Sequence, residues 1–261
     1  MAEPSLKVIV HGSSGRMGRE VIRAIGDVET AVVVGTVSRS GDAREGIPHS
    51  TELAPLLAAV EPDVIVDFTS RDAALPAARI SLEHMVCFVT GTSGLTPDDQ
   101  VEIDGLARVA DVGAFIGPNF SLGAIVLQRL ASLASKHFDS VDIVEKHHAG
   151  KADAPSGSAL ATARAMAEAR AGLRFVRAEP VVTNLAGTHG GELGGATIHS
   201  VRLPGLMAHQ EIIFGGSGET LTLRHDTIDR ACYMPGVLLA INKVPRTVGL
   251  TYGLESFLGF D

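Results

Sequence analysis

The chain has 261 residues, 22 of them Lys or Arg and 30 Asp or Glu, for a formal net charge of -8, with ten His, two Cys and no Trp. There is no run of Lys or Arg, and only nine Phe and two Tyr are present, so the basic, aromatic surface of a nucleic-acid protein is missing. Apolar stretches such as Gly236–Ile241 fall far short of the roughly 18–20 residues that span a bilayer, and no charged segment plus apolar block opens the sequence, so the expected setting is the cytoplasm without membrane contact.

The length exceeds the roughly 100–200 residues of a typical domain, so one large domain or two modest ones are both open, and either can bury a core. Short β-branched runs at Leu6–Val10, Ala31–Val37, Asp63–Phe68, Met85–Thr90 and Val112–Ile116 alternate with helical patterns. Each run is nearly continuously apolar, as in strands of a parallel sheet covered on both faces. Cys87 lies within one such run and, with Cys232, reads as a small core residue rather than part of a disulfide framework or metal cluster. Thr96-Pro97-Asp98-Asp99 predicts a helix start: Thr caps, Pro fits the first turn and two carboxylates meet the positive end of the dipole.

A helix capped by Ser121 is expected to His137, then a strand at Val141–Glu145 and an Ala-rich helix from about Ser156 to Ala171. Ala196–Leu203, Met207–Phe214 and Glu219–Arg224 read as three strands joined by short turns. Thr220, Thr222 and Arg224 alternate with Leu221 and Leu223, which suggests an antiparallel sheet with one core face and one polar face that is free to meet solvent or another subunit. Asp229–Lys243 reads as a helix despite Pro235, and Thr247–Tyr252 as a last strand. The fold class expected is α/β: a Rossmann-like doubly wound parallel sheet, with a second α+β domain carrying an open mixed or antiparallel sheet. The boundaries expected are residues 1–118 with 229–261 for a dinucleotide-type domain and 119–228 for the second.

Glycine, at 29 residues, exceeds the average of about 7% and points to tight turns or close approach. Directly after the first strand, Gly12-Ser13-Ser14-Gly15-Arg16-Met17-Gly18 opens a helix near the chain start. Glycines there let the backbone approach a pyrophosphate, and the helix N-terminus offers N–H groups and partial positive charge. Where a dinucleotide fold commonly places an acidic residue for the ribose, this chain has Val37-Ser38-Arg39-Ser40. A guanidinium suits a 2′-phosphate, and a solvated loop Arg is the alternative. Gly91-Thr92-Ser93-Gly94 and Gly117-Pro118-Asn119-Phe120-Ser121 follow the fourth and fifth strands, at the edge where such sheets bind ligands, although the same residues also favour turns.

The densest chemistry lies in Glu145–Ala159, which holds His147, His148, Lys151 and the Ser156-Gly157-Ser158 helix start. Imidazole exchanges a proton near neutral pH, while Lys plus a helix N-terminus can seat a carboxylate. Zinc binding by His147 and His148 fails because adjacent strand residues point to opposite faces and no third ligand is near. Hydrolysis through Ser156 lacks a Gly-x-Ser-x-Gly setting.

These residues resemble the 4-hydroxy-tetrahydrodipicolinate reductase family of lysine and diaminopimelate biosynthesis, over nearly the whole length. The matching runs are Gly12–Gly18, Asp67-Phe68-Thr69, Gly91–Gly94, Pro118–Gly123, His147–Gly157 and His199-Ser200-Val201-Arg202. The resemblance implies NADPH or NADH as cofactor, a small cyclic dicarboxylate substrate, and a homotetramer formed through the open sheet. It makes His147 the proton donor or acceptor and Lys151 a second donor, with His148, Gly157 and Ser158 on the substrate and Ser156 at the same helix start. Cofactor contacts would fall on Gly12, Ser13, Ser14, Gly15, Arg16, Met17, Ser38, Arg39, Phe68, Gly91, Thr92, Ser93, Gly117, Pro118, Asn119 and Phe120. Ser158 and Ser93 stand where the family usually has Thr, and Ser38 where it often has an acidic residue, which puts an NADH preference in doubt. A non-catalytic NAD(P)-binding protein would have no reason to keep His147, His148 and Lys151 together. A dehydrogenase for a related amino-dicarboxylate is the other rival.

Overall fold

The computed structural model describes residues 5–40 and 46–260. In chain order the elements are β1 (Leu6–His11), α1 (Arg16–Gly26), β2 (Ala31–Val37), β3 (His49–Ser50), α2 (Leu53–Val60), β4 (Val64–Asp67), α3 (Arg71–Glu83), β5 (Cys87–Thr90), α4 (Pro97–Val109) and β6 (Gly113–Ile116). There follow α5 (Leu122–Ala134), β7 (Ser140–His147), α6 (Gly157–Ala169), β8 (Gly191–Leu193), β9 (Ala196–Arg202), β10 (Ala208–Gly216) and β11 (Glu219–Thr227). A 3-10 turn at Arg230–Tyr233 precedes α7 (Met234–Lys243), β12 (Gly249–Tyr252) and α8 (Glu255–Leu258). Two compact units result: one runs up to Leu122 and resumes at Arg230, and the other is Gly123–Asp229.

The first unit holds a parallel seven-stranded sheet in the order β12-β6-β5-β4-β1-β2-β3. All five apolar runs form strands, and Val8, Ile9, Val10, Val64, Ile65, Val66, Phe88 and Val89 are wholly buried. Each large aliphatic or aromatic side chain so buried contributes about 1.5–3 kcal/mol. β1 lies between β2 and β4, so the winding reverses there, and in sheets of this kind the carboxyl ends of the strands at such a point are where ligands bind. α4 starts as its sequence predicts: Thr96 Oγ1 accepts from the Asp99 N–H at 3.2 Å, and Asp99 Oδ2 accepts from the Thr96 N–H at 2.7 Å. The helix expected from Asp229 begins only at Met234, with Pro235 in its first turn, where a missing N–H costs no helical hydrogen bond. β12 pairs with β6 and begins at Gly249 rather than Thr247.

In the second unit the sheet order is β11-β10-β7-β9-β8. It is mixed, one of the two arrangements expected, because β7 pairs parallel with β9 while the other neighbours are antiparallel; of the three strand runs, β10 and β11 pair with each other and β9 pairs with β7 instead. Two parallel strands need a crossover, and α6 supplies it between β7 and β9. Ala159, Ala163 and Met166 of α6 pack on Val141, Ile143, Ile198, Ile212 and Phe214. The alternation on β11 does divide the faces as read: Leu221 and Leu223 lie against this core. The opposite face carries ion pairs, Asp142 with His199 at 3.0 Å and His209 with Asp226 at 2.7 Å.

Candidate functional site

In the first unit, β1 delivers the chain to Gly12, which takes φ +84°. A Cβ there would stand 2.6 Å from the Phe68 carbonyl oxygen. No side chain caps α1 at Gly15, so the positive end of the helix faces this turn at the point where the winding reverses. A close-approaching backbone and an uncapped helix start fit the pyrophosphate of a dinucleotide. Ser13 is buried, with Oγ donating to the Val37 carbonyl at 3.3 Å, while Arg16 is exposed and Ser14 and Met17 are half-buried. Ser38 is buried and donates to the Ser40 carbonyl at 2.6 Å, and Arg39 beside it is exposed.

The strand ends are tied together by Asp67, which is completely buried. Its Oδ2 accepts from Thr90 and Thr92 hydroxyls, each at 2.7 Å, and Oδ1 accepts from the Thr69 hydroxyl at 2.7 Å. His11 Nδ1 lies 2.9 Å from Oδ1, off the line of a well-directed hydrogen bond. Burial pushes the Asp67 carboxyl up, but His11 and the hydroxyl donors outweigh it and hold the group below its ordinary range. The ends of β1, β4 and β5 thus meet on one carboxylate.

Packing accounts for several residues expected at the cofactor. A Cβ on Gly91 would stand 2.2 Å from the Phe68 ring and one on Gly117 2.5 Å from the Phe120 ring. The Phe68 and Phe120 rings lie 5.5 Å apart between centroids. Thr92 is spent on Asp67 and on the Thr69 N–H at 3.0 Å, and Asn119 Oδ1 accepts from the Ser121 N–H at 2.9 Å, closing a turn. What this edge can offer a ligand is mainly backbone, with exposed Ser93 and Pro118 beside it.

In the second unit, period two on β7 puts Val141, Ile143, Glu145 and His147 on the buried face. His147 Nδ1 lies 2.6 Å from Glu145 Oε2, which places the proton on Nδ1 and a lone pair on Nε2. The Glu145 carboxylate also accepts two bonds from Arg202, each at 2.8 Å, and the Ser156 N–H at 3.1 Å. Burial pushes Glu145 up, yet Arg202, Ser200 and His147 hold it below the usual carboxylate range. Burial pushes His147 down; Glu145 opposes this, and Lys151 and Arg202 reinforce it, so the imidazole is neutral at neutral pH.

Ser156 is buried and caps α6, accepting from the Ala159 N–H at 3.2 Å, with the Ser158 hydroxyl 3.2 Å away. Among the described residues its hydroxyl hydrogen-bonds the Ala159 N–H and Ser158 and no His, so no paired base activates it as a nucleophile. Gly157 and Ser158 are exposed, and a Cβ on Gly157 would meet nothing within 4 Å, so packing does not require that glycine. Lys151 Nζ pairs with Asp153 Oδ1 at 2.7 Å. His148 is exposed, its N–H donating to the Met207 carbonyl at 3.3 Å, so the adjacent histidines part to different environments as strand geometry requires.

The expected residues His147, Lys151, Ser156, Gly157 and Ser158 therefore share one strand end, loop and helix start. Sequence reading missed the roles of Asp67, Glu145 and Arg202. Glu145 was within reach, because two residues before a candidate histidine on a strand means the same face. Arg202 sits opposite His147 only through the β7–β9 register.

Residues 6–120 match the profile of "Dihydrodipicolinate reductase, N-terminus" and residues 123–258 that of "Dihydrodipicolinate reductase, C-terminus". A 4-hydroxy-tetrahydrodipicolinate reductase of Dehalococcoides mccartyi is 45% identical, covering 97% of this chain and 98% of its own. One from Moorella thermoacetica is 44% identical, covering 98% and 99%. Among solved structures, the dipicolinate-bound dihydrodipicolinate reductase from Paenisporosarcina sp. TG-14 superposes with a TM-score of 0.88 at 36% identity, covering 97% of this chain and 99% of that one. The chain belongs to the dihydrodipicolinate reductase family and is an oxidoreductase of lysine and diaminopimelate biosynthesis that works with a nicotinamide cofactor.

Proposed function

We propose that the chain reduces 4-hydroxy-tetrahydrodipicolinate to tetrahydrodipicolinate, with His147 and Lys151 as its proton-handling and anion-holding groups. When bound, the reduced nicotinamide supplies a hydride to C4 of the conjugated cyclic imine that remains after the hydroxylated substrate loses water. The resulting enamine takes a proton at C3, and His147 delivers it. The imidazole is neutral without ligand, and two substrate carboxylates nearby raise its affinity for that proton. Lys151 exchanges Asp153 for a substrate carboxylate, and the start of α6 at Gly157 and Ser158 holds an anionic group through its N–H groups and dipole. His148, on the same loop, adds a donor. The dipicolinate held by the Paenisporosarcina relative supports a cyclic dicarboxylate as the ligand class.

The observation that carries this reading is the Glu145 carboxylate, which joins the imidazole to the first residue of the α6 cap within one unit. Oxidation of NADPH with freshly generated hydroxytetrahydrodipicolinate tests it. Turnover on an aspartate or semialdehyde alone would instead favour an amino-dicarboxylate dehydrogenase.

The contacts proposed for the cofactor are Gly12–Met17, Ser38, Arg39 and the strand-edge residues at Phe68, Gly91–Ser93 and Gly117–Phe120, with NADPH used at least as well as NADH because Ser38 presents no carboxylate. The assembly proposed is a homotetramer built on the polar face of the β10–β11 half of the sheet. Light scattering that returned the mass of a single chain for active enzyme would overturn it. Among the described residues no helix is long and apolar enough to cross a membrane, and the setting proposed is the cytoplasm.

A further inference from the structure

We propose that Glu145 and Arg202 are a positioning pair: they hold His147 as the Nδ1–H tautomer, reserve Nε2 for proton exchange, and fix its geometry relative to the Lys151 loop and the α6 start. This rests on the proposed role of His147 and deepens it. Glu145 is fully buried and receives four bonds, from His147 at 2.6 Å, from two Arg202 nitrogens at 2.8 Å each, and from the Ser156 N–H at 3.1 Å. Arg202 also donates to the Asp153 carbonyl at 2.6 Å, in the loop that carries Lys151. Two charged side chains thereby link the imidazole, the lysine loop and the helix start.

Stability alone is a poor reason for this arrangement, because an ion pair with a fully buried carboxylate often gives no more net stabilisation than well-packed apolar residues of similar volume. The geometry suits control of a proton instead. The groups facing His147 are Glu145 from its own strand, Arg202 from β9, and Lys151 with its partner Asp153 from the loop, with His148 next in the chain. An unbalanced carboxylate at 2.6 Å would keep the imidazole charged, so that it held its proton rather than releasing it. Arg202, bound to both carboxylate oxygens, neutralises that charge while leaving Glu145 an acceptor for Nδ1–H. The pair therefore orients the ring without trapping the imidazolium.

Glu145→Gln keeps an acceptor for Nδ1–H but removes the negative charge and leaves Arg202 unbalanced. The expected result is a fall in the His147 pKa by roughly one pH unit, read from the imidazole Hε1 resonance in NMR titration of the full chain. The falling limb of kcat/KM moves to lower pH with it. Arg202→Gln in the Glu145→Gln background removes the remaining charge and moves both readouts back up, and it serves if the single Arg202 variant does not fold. An Hε1 titration of His147 unmoved in Glu145→Gln, or a titration that moves while the kcat/KM limb does not, overturns the positioning pair. His147→Gln separates the two readings: loss of turnover there, with an unmoved His147 titration in Glu145→Gln, removes only the pair, whereas full turnover in His147→Gln removes the role of His147 itself.

Discussion

Gly18, in the first turn of α1, lies so close over Gly12 that a Cβ on it would stand 2.2 Å from the Gly12 carbonyl oxygen. That atom is backbone and has no rotamer to move to. Gly18→Ala must therefore lift the helix start off the turn, at a cost of about 1–3 kcal/mol in stability. Nucleotide binding should weaken by on the order of tenfold, about 1.4 kcal/mol. Thermal unfolding and calorimetric titration with NADPH check both numbers; unchanged affinity would show that the turn does not hold the cofactor.

His147→Gln and Lys151→Ala should each lower kcat/KM by on the order of 10²-fold or more, the usual contribution of a positioned proton donor or charged anchor. Far-ultraviolet circular dichroism should match wild type, since neither side chain belongs to the apolar core. Either variant retaining near wild-type kcat/KM removes that residue from the mechanism.

NADPH should serve at least as well as NADH. Position 38 offers a hydroxyl, turned to the Ser40 carbonyl, rather than a carboxylate that would repel a 2′-phosphate, and exposed Arg39 supplies positive charge. Screening by solvent limits the gain to roughly tenfold. The ratio of kcat/KM for the two cofactors should drop by about that factor in Arg39→Ala; a ratio that stays put would show that this loop does not read the 2′ position.

Asp67 should make stability pH-dependent in a defined direction. Its carboxyl titrates lower in the folded chain than in the unfolded one, so its contribution is complete above the ordinary carboxylate range and is lost as pH falls through the folded value. Asp67→Asn should cost about 1–3 kcal/mol at neutral pH, since an amide cannot accept from all of those donors. Urea unfolding near neutrality and at about pH 3 should show the gap between variant and wild type narrowing in acid. A gap of constant size would mean that the carboxylate charge is not what binds the strand ends.

The fold was legible where a pattern is local. Continuous apolar runs marked strands covered on both faces, and Thr96 with Asp99 announced a helix start from four adjacent residues. Period two on β11 told which face was polar, but it carries no information about which strand is the neighbour, and so β7 between β9 and β10 was not foreseen. The same reason hid the Arg202–Glu145 pair, whose members are 57 residues apart in sequence. His147 and Lys151 stood out because chemically rich residues crowd one short stretch. Asp67 did not, because apart from nearby Thr69 its partners His11, Thr90 and Thr92 come from the ends of β1 and β5, which only the winding of the sheet brings beside β4.

On β7 a single alternation runs from Val141 and Ile143, packed beneath α6, to Glu145 and His147. Site and packing are thus written in one register, and a slip of one residue against β9 or β10 would face Asp142, Val144 and Lys146 inward and turn Glu145 and His147 away. The apolar half of the strand acts as an alignment gauge for the reactive half. A chain that mispaired here could not hide as a folded but inactive enzyme, because the error that misplaced His147 would also expose Ile143 and mark the molecule for aggregation or degradation.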